Sequence, residues 1–103
     1  MLVDAAFTAR IWVHQATGSW HFVTLPDDLS REIHEASPGT AKAFGTLRVT
    51  ARIGATRWKT SLFWDRKRSA YLLPIKAAVR AKEKLREGDA VDVAILAEVG
   101  AED

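Results

Sequence analysis

Basic residues are the side chains best placed for chemistry in this sequence. Three of them come after a proline and are spaced four residues apart. Lys76, Arg80 and Lys84 lie in the segment LPIKAAVRAKEKLREGD. Residues four apart share one face of a helix, so these cations would form a row. Proline suits the first helical turn, which predicts a helix that opens just after Pro74. Lys76 and Arg80 would then lie near the positive end of the helix dipole, which favours carboxylates and phosphates.

Two interpretations of this row stay open. In the first, acids of the chain itself offset the cations, and the row is an ordinary surface charge pattern. The available acids are Glu83 and those of an acidic predicted helix, Asp27, Asp28, Glu32 and Glu35. In the second, a small anion or an acidic partner surface is bound, because a helix N-terminus supplemented by Lys and Arg is an anion site. The residues predicted for that site are Lys76, Arg80, Arg48, Arg52, Arg57 and Lys59.

The residue types give little support to nucleophilic or metal chemistry. A serine nucleophile needs a base beside it and a third group that orients the base. The best candidate, Ser61, has no histidine placed near it by sequence. The chain has no cysteine, and no two of its three histidines have the spacing of one helical turn that suits a shared metal. We therefore predict a protein that is not an enzyme, with no catalytic residue, no metal and no cofactor.

Positive charge is concentrated in the middle of the chain. Residues 42–86 hold thirteen Lys and Arg against two acids, whereas the rest of the chain holds two Arg against eleven acids. The two parts can pair with each other in the fold or present a basic face to an anionic partner. A chain of 103 residues has the length of one domain, and from its first residues we expect neither a signal peptide nor a membrane span. We expect a cytoplasmic monomer or weak homodimer.

The elements that position these residues are mostly strands. Residues 5–13 and 19–25 are rich in β-branched and aromatic residues and predict a first hairpin. Pro26, Asp27 and Asp28 mark the start of a helix, in which Leu29 and Ile33 lie one turn apart and face the core.

Residues 45–65 alternate most clearly between apolar and polar and predict a second hairpin. Gly54 and Ala55 would form its loop, with glycine at the first position of a type II′ turn. The resulting register pairs Leu47 with Leu62, Val49 with Thr60 and Ala51 with Trp58 on the inner face, and Arg52 with Arg57 on the outer face. Like charges opposite each other are unfavourable, so the arginine pair protects an edge strand or belongs to an anion site.

One tryptophan lies beside the basic run of the chain. Trp64 follows Phe63 and precedes the segment DRKRS, which makes it a candidate for an exposed aromatic at the rim of the domain. At the rim it would stack on a base or sugar, as aromatic residues do in single-stranded nucleic-acid sites. We favour the alternative, in which Trp64 packs against the core or rim, because large aromatic side chains contribute much buried area to barrel cores.

The remaining elements complete a fold that is mainly β. A short strand precedes a helix from about Ile75 to Leu85, Gly88 stops that helix, and a last strand alternates through Val91, Val93 and Ile95. Two units, about 19–54 and 69–97, share the order strand, Leu-Pro, helix, glycine, strand. Such repeats favour a closed double-split β-barrel of six or seven strands with two short helices.

Six segments of the sequence carry a resemblance to known proteins. They are FTARIW (7–12), FVTLP (22–26), GTLRVTARIG (45–54), WKTSL (58–62), YLLPIKAAVR (71–80) and GDAVDV (88–93). The chain resembles a bacterial domain-of-unknown-function family of double-split β-barrels, which also occurs fused to bacteriocin-protection domains. Its Pro, short helix, Gly-Asp and alternating strand are similar to the swapped-hairpin half-barrels of AbrB- and MazE-type proteins. The family resemblance implies the fold and no established activity, whereas the AbrB-like one adds nucleic-acid binding as a second functional hypothesis.

Overall fold

A computed structural model describes residues 2–16, 18–37 and 45–99 of the chain. Within these ranges lie seven strands and two helices. They are β1 (Leu2–Arg10), β2 (Trp12–Val13), β3 (His21–Thr24), α1 (Asp27–Ala36), β4 (Thr46–Ile53), β5 (Thr56–Asp65), β6 (Ala70–Pro74), α2 (Ala77–Glu83) and β7 (Ala90–Glu98). Neither helix of this described part is long and apolar enough to cross a membrane.

The seven strands form one antiparallel sheet in the order β1-β7-β4-β5-β6-β3-β2. The sheet curls into a half-barrel, so the predicted mainly β class with two helices is confirmed. Inward-facing residues of the strands form the core, in which Leu62, Leu73 and Ile95 are almost fully buried. Ile33 of α1 and Val79 of α2 are buried in the same core, which ties both helices to the sheet.

The β4–β5 hairpin has the register predicted from its alternation. Ala51 pairs with Trp58, and Arg52 pairs with Arg57 on the outer face. Gly54 has a φ of 59°, as a glycine at the first position of a type II′ turn requires. Trp58 is buried, and its indole nitrogen is a buried donor for which the described residues supply no acceptor.

The prediction for the first hairpin is only partly right. Trp12 pairs with Phe22 and Val13 with His21, but the preceding residues of β1 pair with β7 instead of β3. The change of partner occurs at Ile11, whose amide donates to the Asp89 carbonyl at 2.9 Å. β7 begins 80 residues after the end of β1, and the local apolar pattern does not identify such a distant partner.

The helix α1 begins where the sequence predicts. Pro26 precedes its first residue, Asp27, and the two acids of the first turn suit the positive end of the helix dipole. Ile33 is buried and Leu29 is half-buried against the core, as their spacing predicts. The sequence predicts that the segment SPGT (37–40) ends this helix; the helix does end at Ala36 with Ser37 as its C-cap residue, and residues 38–40 lie outside the described residues.

The predicted bounds of the second helix are wrong at both ends. Pro74 is the last residue of β6 and pairs with Phe22, and the Ile75 amide donates to the His21 carbonyl at 2.9 Å. Strand pairing thus continues past the proline and delays the helix until Ala77. The helix ends at Glu83, well before Gly88, and its C-cap residue Lys84 adopts the left-handed conformation with a φ of 57°.

Glu83, at the end of α2, supports the β4–β5 turn. Its carboxylate accepts a hydrogen bond from the Thr56 hydroxyl at 2.6 Å, whereas the sequence suggested a pair with Arg80. The carboxylate also occupies the space that a Cβ atom at position 54 would take. Gly54 is therefore required for its backbone conformation and for its lack of a side chain.

We predict that Gly54→Ala destabilises the domain more than Gly18→Ala. Both glycines have positive φ, 59° and 71°, but nothing lies within 4 Å of a Cβ at position 18. The left-handed conformation costs about 1 to 2 kcal/mol in each variant. Gly54→Ala also displaces Glu83 from Thr56, which adds about 0.5 to 1.5 kcal/mol.

Urea denaturation of the single variants and of Gly54→Ala in a Glu83→Ala background measures these costs. The background substitution removes the displaced carboxylate, so Gly54→Ala should then cost as little as Gly18→Ala does. Equal costs for the two alanine variants in the unmodified chain would show that the Glu83 contact adds nothing.

Candidate functional site

A cleft of about 400 Å³ opens where three segments of the fold meet. We call it the basic cleft. Its lining consists of Ser19, Trp20 and His21 before and in β3; Arg48, Thr60, Ser61 and Phe63 of the β4–β5 hairpin; and Pro74, Ile75, Lys76, Ala77 and Arg80 around the β6–α2 junction. Three of the six predicted site residues, Arg48, Lys76 and Arg80, thus line one concavity.

Strand pairing explains why these segments meet. β6 pairs with β5 on one side and with β3 on the other, so the β6–α2 junction lies between the other two segments. Arg48 pairs with Ser61 in the β4–β5 ladder, and both side chains face away from the core, as predicted. The cleft brings Ser61 and His21 into one lining, which the sequence did not indicate, and the contacts of the His21 ring are with the Ser19 carbonyl and Arg80.

The guanidinium group of Arg80 is held in position by two contacts. Its Nε donates to the Ile75 carbonyl at 3.1 Å, and Nη1 lies 3.5 Å from His21 Nε2. His21 Nδ1 lies 2.9 Å from the Ser19 carbonyl, which can only accept, so Nδ1 carries the proton. In neutral His21 the other nitrogen is then an acceptor for Arg80. Arg80 has five N–H donors, and these contacts use two of them.

The sequence predicts that Lys76 and Arg80 both lie near the positive end of the α2 dipole, and this is true of Lys76 alone. Lys76 is the N-cap residue of α2 and is exposed, so it does lie at the positive end. Arg80 lies in the last turn, because the helix begins only at Ala77 and has seven residues. Convergence of cations from separate segments, not the end of this short helix, is the feature that defines the cleft.

The acids proposed to offset Lys76 and Arg80 either bond to other residues or lie outside the cleft. The salt bridges among the described residues are Asp28 with Arg31, at 3.5 Å, and Asp65 with Arg68. Glu83 is bonded to Thr56. No carboxylate belongs to the lining of the cleft. In the described part of the chain, Lys76 and Arg80 therefore take part in no salt bridge.

The other three predicted cations lie on the outer face of the β4–β5 hairpin, nearer its turn. Arg52, Arg57 and Lys59 border a second concavity of about 680 Å³, whose lining also contains Asp4, and they do not line the basic cleft. The predicted six-residue site is thus divided into two groups by the length of the hairpin.

Exposed aromatic residues of the cleft were missed at the sequence level. Trp20 is 49% exposed and Phe63 is 37% exposed, and both line the cleft. Trp64, the candidate rim aromatic, does not line it. Its ring is half-buried and stacks on His34, with centroids 3.8 Å apart. The hairpin register offered a signal for Phe63, because it places Phe63 on the same outer face as Arg48.

Two titrating groups near these aromatics have shifted pKa values. Burial raises the pKa of Tyr71, which packs against Trp64, and a hydrogen bond with Ser37 opposes that shift. Burial also acts to raise the pKa of Asp65, but hydrogen bonds from Arg68 and from backbone amides outweigh it and leave the pKa below 3.8. The Arg68 guanidinium in turn lies 4.2 Å from the centre of the Trp12 ring. None of these residues lines the basic cleft.

Comparison with protein families shows where the chain belongs. A family model described as Domain of unknown function (DUF1905) matches residues 7–95. The chain is a member of the DUF1905 family. The predicted membership in an uncharacterised domain family is thereby confirmed, and the AbrB-like relationship stays a prediction. No curated protein matches the sequence. The family description names no activity, so function must be argued from the DUF1905 domain's own cleft.

Proposed function

We propose that this DUF1905 domain is a non-catalytic binding module that takes a small organic anion into the basic cleft. The observation that carries the proposal is the convergence of Arg48, Lys76 and Arg80 on a concavity whose lining contains no carboxylate. Lysine and arginine form charge-assisted hydrogen bonds with carboxylates and phosphates, and arginine can bind them through two parallel bonds.

Electrostatics favours an anion in the cleft. Like charges in a shared concavity repel each other, and nearby low-dielectric walls strengthen the field that they create. A bound carboxylate or phosphate offsets that repulsion, whereas the described residues of the chain supply no acid in the lining. Arg80 is held by Ile75 and His21, so little of its side-chain freedom remains to be lost on binding.

The size and composition of the cleft favour a small molecule over an acidic protein surface. Its volume of about 400 Å³ lies within the range of about 300 to 1,000 Å³ that is usual for small-molecule sites. The lining mixes apolar groups, such as Ile75 and Phe63, with a few charged ones, as such sites commonly do. A flat acidic partner would make little use of this concavity.

Thermal denaturation in inorganic phosphate tests the proposal, with chloride used to hold the ionic strength constant. Phosphate at about ten times its Kd should stabilise the domain by about 1.4 kcal/mol. In a domain of this size that corresponds to a rise in Tm of about 6 to 11 °C. Lys76→Glu combined with Arg80→Glu should abolish the rise while the variant still folds.

A matched control is Arg52→Glu combined with Arg57→Glu, which changes the net charge equally but lies outside the cleft. This control should keep the full phosphate effect. The milder variant Arg48→Gln, which adds no negative charge, should reduce it. An undiminished rise in the Lys76/Arg80 variant would rule out the cleft as the site.

Nucleic-acid binding is the second candidate function, and the outer face of the β4–β5 hairpin favours it. Arg48, Arg52, Arg57 and Lys59 all lie on that face, so a basic strip extends from the cleft towards the turn. Binding to generic DNA or RNA should then fall by orders of magnitude between 50 and 200 mM salt, because several phosphates are neutralised. Arg52→Glu with Arg57→Glu would weaken this binding while leaving a phosphate site in the cleft intact.

We also propose that the sheet closes as a double-split β-barrel of two related units, residues 19–54 and 69–97. Ile11 supports closure, because it alone separates β1 and β2, the strands at opposite edges of the sheet. The Ile11 amide donates to the Asp89 carbonyl at 2.9 Å, and the Ile11 carbonyl accepts from the Gly88 amide at 2.8 Å. In a closed barrel the amides of Ile11, which bonds on the β7 side, and of His14, which bonds to the Trp20 carbonyl on the β3 side, should both exchange hydrogen as slowly as those of β4, and fast exchange of either would contradict closure.

The pairing of β4 with β7 supports the relationship between the two units. When the units are aligned on Gly45 and Gly88, Thr50 corresponds to Val93 and Ile53 corresponds to Leu96. The sheet pairs Thr50 with Leu96 and Ile53 with Val93. Replacing each residue by its counterpart in the other unit converts the pair Thr50–Leu96 into the pair Val93–Ile53. A local two-fold axis between the units produces this exchange.

A further inference from the structure

We infer that the anion bound in the basic cleft is aromatic, that is, a planar ring that carries a phosphate or carboxylate group. This inference rests on the proposed anion-binding function and specifies the chemical class of the ligand. It is carried by two exposed aromatic side chains, Trp20 and Phe63, which belong to different segments and line the same cleft as the cations.

The distribution of exposed apolar residues singles out this cleft. Among the described residues, four large hydrophobic side chains are exposed: Leu2, Trp20, Phe63 and Leu96. The two aromatic ones line the basic cleft, and the two aliphatic ones lie outside it. Exposed leucines occur singly on most protein surfaces, whereas large aromatic side chains gain more from burial and are typical of ligand sites.

Trp20 has the features of a stacking platform. Its ring stacks on Phe22, with centroids 5.9 Å apart and an interplanar angle of 23°. Phe22 is itself buried, so it supports the indole from one side. The Trp20 carbonyl accepts a hydrogen bond from the His14 amide at 3.0 Å, which fixes the backbone beneath the ring. About half of the residue remains exposed, which leaves area for a second ring.

The cations and the two exposed aromatic side chains line one cleft, so a single ligand in it meets both kinds of group. Trp20 is followed directly by His21, whose ring contacts Arg80. Phe63 lies two residues from Ser61, which pairs with Arg48, so this aromatic and this cation share one face of the hairpin. A ring against Trp20 or Phe63 would therefore lie in the same cleft as the side chains of Arg80 and Arg48. An aliphatic anion would gain the charge contacts and lose the stacking.

Calorimetric titration with matched phosphates tests the inference. Phenyl phosphate and cyclohexyl phosphate carry the same charged group and differ in the planarity of the ring. We expect phenyl phosphate to bind at least about five-fold more tightly, since stacking on an aromatic side chain commonly contributes that much or more. Benzoate and cyclohexanecarboxylate form a second pair. Comparing the affinities of phenyl phosphate and benzoate then shows whether phosphate or carboxylate is the preferred charged group.

Two substitutions at Trp20 assign the effect to its ring. Trp20→Tyr keeps an aromatic ring and should keep the preference for phenyl phosphate. Trp20→Leu keeps an apolar side chain and should bring the ratio of the two affinities close to one, with the affinity for cyclohexyl phosphate little changed. A preference that persists in Trp20→Leu would overturn the role of this tryptophan.

The outcomes separate the inference from the function on which it rests. If both phosphates bind the unmodified domain equally, the aromatic preference is wrong and the anion site stands. If neither binds, and inorganic phosphate does not raise the Tm, the anion site is wrong and the inference fails with it.

Discussion

The hydrogen bond from the Ile75 amide to the His21 carbonyl, at 2.9 Å, is the contact on which the arrangement of the cleft depends. It extends the pairing of β3 and β6 beyond Pro74 and keeps the chain extended through Lys76. The helix α2 consequently starts late, and the Arg80 side chain reaches back to the Ile75 carbonyl and the His21 ring. The same pairing brings Trp20 beside the β6–α2 junction, so one local constraint assembles both the charged and the aromatic parts of the cleft.

The sequence predicted the parts of the fold that depend on local alternation and turn chemistry. The register of β4 with β5 follows from a period of two and a glycine suited to a two-residue loop, and it is confirmed at every predicted pair. The start of α1 follows from a proline and two acids. In both cases neighbours in the chain contain the whole signal.

Features that depend on distant partners could not be predicted in this way. The change of partner at Ile11 requires β7, and the late start of α2 requires β3. Glu83 has Arg80 three residues away, yet its partner is Thr56 on another element. For the same reason the six predicted cations are divided between two concavities, with five of them exposed and Arg80 half-buried. The length of the hairpin separates Arg52, Arg57 and Lys59 from the cleft.

The central claim is that an anion binds where Arg48, Lys76 and Arg80 converge, and backbone amide NMR during a phosphate titration at constant ionic strength tests it most directly. The account predicts saturable chemical-shift changes that cluster in the three lining segments, at Ser19 to His21, Arg48 with Ser61, and Ile75 to Ala77. Amides near the β4–β5 turn, such as those of Arg52 and Arg57, should move little. Changes centred on that turn, or weak changes spread over all basic residues without saturation, would contradict the account.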